Sequence, residues 1–145
     1  MGLFDKVLGT SSDKLNAQEG FAGIALCAIA ADGSITEEEA MGLGTNLSRM
    51  KLYQGYSGRQ MNNVFEKLIK TARSKGVPEL LAQSAEAVPK ELKTTAFAVA
   101  ADLLFADGSV DASERKFLET IQKSLGVDDA MALKIVEVVQ IKNMG

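Results

Sequence analysis

Residues 96–125 read AFAVAADLLFADGSVDASERKFLETIQKSL, and residues 21–50 read FAGIALCAIAADGSITEEEAMGLGTNLSRM. Laid over one another, the stretches share eight of thirty positions: Ala25, Ala31, Asp32, Gly33, Ser34, Glu39, Leu43 and Thr45 match Ala100, Ala106, Asp107, Gly108, Ser109, Glu114, Leu118 and Thr120. Each runs from an apolar segment through Ala-Asp-Gly-Ser and an aliphatic residue, Ile35 or Val110, into a charged segment. A unit used twice implies a pseudo-symmetric pair packed on one core.

The punctuation around these units is helical. Thr36 stands three residues before Glu39, and Asp111 three before Glu114. In each pair the first side chain can accept from the opening backbone amides, and the glutamate can reach back to the cap residue. Gly33 and Gly108 fall where the preceding helix must end, a position that often needs positive φ. Working outward, helices are expected over about residues 3–8, 13–31, 36–50, 57–75, 111–125 and 128 onward. Pro78 and Pro89 suit the first turns of two more. Ser57 and Asp128 are read as caps, and Leu3, Phe4, Val7 and Leu8 share one face of the first helix. No segment alternates as a strand does. The expectation is an all-α compact bundle of seven to eight helices over residues 1–145, built from the duplicated helix–Asp-Gly turn–helix unit.

Bulk properties agree and narrow the function. A chain of 145 residues buries a core without a disulfide or structural metal. Only 2 prolines and one cysteine, Cys27, are present. A nearly cysteine-free chain fits a reducing compartment, and Cys27 reads as a small buried hydrophobe. The apolar runs Phe21–Ala31 and Ala96–Ala106 are too short to span a bilayer, and no secretory pattern follows Met1. The net charge of −3 argues against nucleic acid as a partner. That charge is unevenly spread: residues 51–93 carry eight basic and four acidic side chains, leaving eight basic and fifteen acidic elsewhere. Opposed electrostatic faces of this kind steer a partner. With no histidine there is no imidazole catalysis, and no phosphate-binding loop or dinucleotide fingerprint appears.

The Asp-Gly-Ser-aliphatic motif invites comparison with a calcium-binding EF-hand loop. With Asp32 and Gly33 at loop positions five and six, Glu39 takes position twelve. Positions one and three then fall on Ala28 and Ala30, and in the second copy on Leu103 and Phe105. Neither loop is an EF-hand by itself. Two readings stand for Asp32, Glu39, Asp107 and Glu114: turn and cap residues only, or carboxylates gathered by the pseudo-symmetry around Ca2+ or Mg2+. Asp102 is the one ionisable residue within Ala96–Ala106, and a carboxylate buried there needs a base, a helix start, a metal or a proton, which adds it to Asp32, Glu39, Asp107 and Glu114 as a candidate metal ligand. Arg115 is the base considered for it. Lys67, Lys70 and Arg73 form a basic stripe that reads as solvated surface or as a contact for an acidic partner or lipid headgroups. Tyr53 and Tyr56 either mark a contact surface or pack back.

The layout resembles the tellurite-resistance TerB family. The resemblance rests on the opening Gly2-Leu3-Phe4-Asp5-Lys6-Val7, on Ala31-Asp32-Gly33 followed by Glu38 and Glu39, on Ala106-Asp107-Gly108 followed by Glu114, and on Ser124-Leu125-Gly126-Val127-Asp128. It implies a bacterial cytoplasmic, non-enzymatic module for tellurite and metal stress. Such a module would hold a divalent cation on Asp32, Glu39, Asp107 and Glu114 and work near the inner face of a membrane. Similar domains are fused to a membrane-anchored DnaJ-like co-chaperone, which implies an adaptor role. The alternative is a metal-free protein–protein adaptor whose acidic face docks a basic or membrane-associated partner. An acid/base enzyme using Asp102 and Asp107 would need a deep pocket and a raised carboxylate pKa.

Overall fold

Asn16 fixes the first helix. Its side chain accepts from the Glu19 amide at 2.8 Å, and the Glu19 carboxylate accepts from the Asn16 amide at 2.9 Å. This capping box opens α1, Ala17–Ile29, so the helix starts later than the expected Asp13. The computed structural model describes residues 14–31, 34–106, 108 and 110–144. The expected helix over 3–8 lies outside them, as do Asp32, Gly33 and Asp107.

Six further α-helices follow among the described residues: α2 Glu37–Leu47, α3 Gly58–Lys75, α4 Val77–Ala87, α5 Lys93–Leu104, α6 Ala112–Leu125 and α7 Asp129–Lys142. Short 3-10 turns at Lys51–Tyr53 and Lys90–Leu92 separate some of them, and no strand is found among the described residues. The chain is an all-helical bundle. Thr36, Ser57, Asp111 and Asp128 cap α2, α3, α6 and α7 as the sequence predicts. Gly108 has φ +83°, the positive value expected where α5 gives way to its turn.

Two further boundaries differ from the sequence reading. α2 stops at Leu47, short of Met50, where the Ser48 hydroxyl donates to the Thr45 carbonyl at 2.7 Å and the chain tightens into a 3-10 turn. Pro89 precedes the second 3-10 turn and does not open α5 directly. There the Lys93 ammonium donates to the Ala85 carbonyl at 3.0 Å, tying the start of α5 to the end of α4.

The core is built around α1. Every residue from Gly20 to Ala28 is buried, because α1 is packed by α2, α3, α4, α5 and α6. The duplication survives as a packing pattern: α1 holds α2 and α3, and α5 holds α6 and α7. α4 lies between the two triplets in sequence and along α1 in space. That approach is close because α1 offers no side chain there. A Cβ on Gly20 would sit 2.6 Å from the Ala87 Cβ and 2.9 Å from the Ser84 carbonyl oxygen. One on Gly23 would sit 2.9 Å from the Ser84 Cβ. The Ser84 hydroxyl is buried against this crossing with no hydrogen-bond partner among the described residues.

Candidate functional site

Among the described residues, the sequence-predicted carboxylates Glu39, Asp102 and Glu114 are not gathered into one group. Glu39 accepts from the Thr36 amide at 3.3 Å and from its hydroxyl at 2.9 Å, while Thr36 Oγ1 accepts from the Glu39 amide at 3.1 Å. Glu114 accepts from the Asp111 amide at 3.3 Å, and Asp111 accepts from the Glu114 amide at 2.8 Å. The Glu114 amide and then the Ser113 hydroxyl hold the Asp111 carboxyl below its ordinary pKa. Both glutamates therefore do the work of capping boxes. Among the described residues, no group of three or more acids and cysteines is placed to hold a metal ion. Asp32 and Asp107 lie outside those residues.

Asp102 departs from the burial expected of it. Its side chain is 41% exposed, at the edge of the α5 core face formed by Ala96, Phe97, Ala100, Ala101 and Leu104. Its partner is not Arg115. Lys142 of α7 pairs with it at 3.1 Å, and the Asn143 amide donates to it at 3.1 Å. Asp102 thus ties the end of α7 to α5. Such a half-exposed pair contributes little to stability, about 0–1 kcal/mol, and serves to fix where α7 ends.

Cys27 is fully buried in α1, and burial pushes its thiol from 9.0 up to about 12. A thiol held neutral this way is an inert core group, as the sequence reading expects. The neutral form is the one that folding favours. Stability from this group is therefore complete below about pH 9 and is lost as pH rises towards about 12. Denaturant unfolding across that range should show a decline that is shallower in Cys27→Ala; identical slopes in both proteins would refute the assignment.

A concave feature lies apart from those carboxylates. α2 and α3 form a hairpin and leave between them a groove of ≈ 890 Å³. Its floor is apolar, with Ala40 and Gly44 from α2 and Met61, Phe65 and Ile69 from α3. Gly44 lies against the Phe65 ring, which a Cβ would approach to 3.3 Å. Met41 stands on the rim at 63% exposure. Tyr53 packs back: it is buried, and its hydroxyl donates to the Gln18 carbonyl at 2.7 Å. Burial, with Tyr56 close by, pushes its phenol pKa up. Tyr56 packs edge-on against that ring at 5.8 Å and lines one end of the groove.

The repeat shows why the groove is open. The position corresponding to Ala40 is Arg115, and the one corresponding to Gly44 is Glu119. Both line a smaller cleft, ≈ 350 Å³, bounded by α6 and α7. Long side chains stand in the second copy where the first has a methyl group and a hydrogen. The basic stripe divides in the same region: Lys67 pairs with Glu19 at 3.1 Å, whereas Lys70 and Arg73 line the groove.

Compared with family models, with curated proteins and with solved structures, the chain matches none. No helix among the described residues is long and apolar enough to cross a membrane.

Proposed function

We propose that this chain is a non-enzymatic binding module of the TerB type that acts as a protein adaptor, receiving its partner in the groove between α2 and α3. The observation that carries this reading is the groove itself, an apolar floor between two helix walls with an exposed methionine on its rim. A methionine on such a rim can repack around a partner's side chains. The cation-holding reading has less support, because Glu39 and Glu114 serve helix caps and Asp102 is paired with Lys142. Work near a membrane-anchored partner in the bacterial cytoplasm, in tellurite or metal stress, is the setting that the family resemblance gives.

The test has two arms. A photo-crosslinking residue at position 41 should join the chain to a discrete protein in cells, and Thr45→Trp, which fills the groove from its wall, should abolish that product. Chelator-treated protein should unfold at the same temperature with and without millimolar Ca2+ or Mg2+, since only a ligand of the folded state raises the midpoint. A cation-dependent rise that disappears in Asp32→Asn/Asp107→Asn, without a crosslink from position 41, would replace the adaptor with a cation module.

A further inference from the structure

We infer that the occupant of the α2–α3 groove is an amphipathic helix of a partner protein, about three turns long, with carboxylates along the edge that lies on α3. This rests on the adaptor reading and adds the chemistry of the partner. Length comes first. The α2 wall runs from Glu37 to Ser48, which is roughly 16 Å at 1.5 Å per residue. A helix of three turns covers that span and presents apolar residues at i, i+4 and i+7 to the floor.

Charge fixes the rest. Lys70 and Arg73 are exposed, one turn apart on the α3 wall, and neither belongs to an ion pair among the described residues. Glu66, one turn from Lys70 on the same wall, is not within 4.0 Å of it. α3 as a whole carries Arg59, Lys67, Lys70, Arg73 and Lys75 against Glu66 alone. On the opposite wall the carboxylate that lines the groove is Glu37, in the acidic first turn of α2 with Glu38 and Glu39. Glu37 at the start of α2 and Arg73 near the end of α3 both line the groove, so its two walls carry opposite sign. A polyanion such as a nucleic acid or an anionic membrane surface would meet the α2 carboxylates as well as the α3 cations. A helix with one acidic edge meets only the cations. An arginine fork takes a carboxylate in two parallel hydrogen bonds, which adds orientation to attraction. Rim charges of this kind set partner choice and on-rate more than they set affinity.

The experiment uses the full chain with an environment-sensitive fluorophore on Met41→Cys; Cys27 is buried and stays unlabelled. The probes are two synthetic helical peptides with one leucine stripe, one carrying glutamate along a single edge and the other lysine at the same positions, and phosphatidylglycerol vesicles. The glutamate peptide should bind about tenfold more tightly than the lysine peptide at low salt, from attraction in one case and repulsion in the other. The preference should reverse in Lys70→Glu/Arg73→Glu and shrink as salt is raised. Equal binding of both peptides, blocked by Thr45→Trp, would overturn this inference and leave the adaptor groove standing. Binding of vesicles and of neither peptide would overturn it in favour of a lipid surface. Silence from all three probes up to millimolar concentration would overturn both readings.

Discussion

Gly20→Ala should lower the unfolding free energy by about 1–2 kcal/mol, although alanine is the better helix former by about 1 kcal/mol. The added methyl group would lie 2.6 Å from the Ala87 Cβ and 2.9 Å from a backbone oxygen of α4. Neither of those atoms ends a flexible side chain, so the two helices must separate. Separation loosens contacts along the α1–α4 interface, where Gly20 and Gly23 lie against Ser84 and Ala87. Gly42→Ala is the matched control. Gly42 is an exposed residue inside α2 with nothing within 4 Å of an added Cβ, so that change should stabilise by about 0.5–1 kcal/mol. Urea unfolding of the two variants should move the midpoint in opposite directions. A rise in both would mean that α1 and α4 are not in close contact.

A larger loss is expected from Tyr53→Ala, about 3–5 kcal/mol, the range for deleting a buried aromatic ring. Tyr53 is 1% exposed and holds the 3-10 turn that leads into α3. Its hydroxyl reaches across to the Gln18 carbonyl at 2.7 Å, and its ring supports Tyr56 edge-on. Tyr53→Phe keeps the packing and removes one hydrogen bond, at a cost of about 1 kcal/mol. Denaturant midpoints of the pair separate the two contributions. If the phenylalanine variant were as unstable as the alanine one, the hydroxyl and not the ring would be the anchor.

Local signals in this sequence were legible where one residue pattern decides the outcome. Ser57, Asp111 and Asp128 stand one residue before α3, α6 and α7, and each accepts the amide hydrogen bond that a cap requires. The sequence expects α1 from about Asp13, because aspartate and asparagine both suit a cap by residue type, whereas the helix opens on Asn16. Glu19, which closes the box only with Asn16, was the overlooked discriminator. Asp102 differs from expectation for another reason. Its neighbours in sequence are apolar, but its exposure is set by where Lys142 and Asn143 arrive, some forty residues later. The groove is a gap between two helices, and a gap has no sequence of its own. The comparison of Ala40 and Gly44 with Arg115 and Glu119 carries the trace of it. That trace can be read once the helix hairpin has been seen.

The central place of α1 has a cost during synthesis. Its apolar surface is covered on several sides by helices that end as far along the chain as Leu125. At about 5–20 residues per second, α5 and α6 leave the ribosome roughly 5–20 seconds after α1. For that interval the most apolar helix of the chain has only α2, α3 and then α4 to shelter it. The first half of the nascent chain therefore emerges with α1 only partly covered, and the rate of translation through residues 88–125 sets how long it stays so.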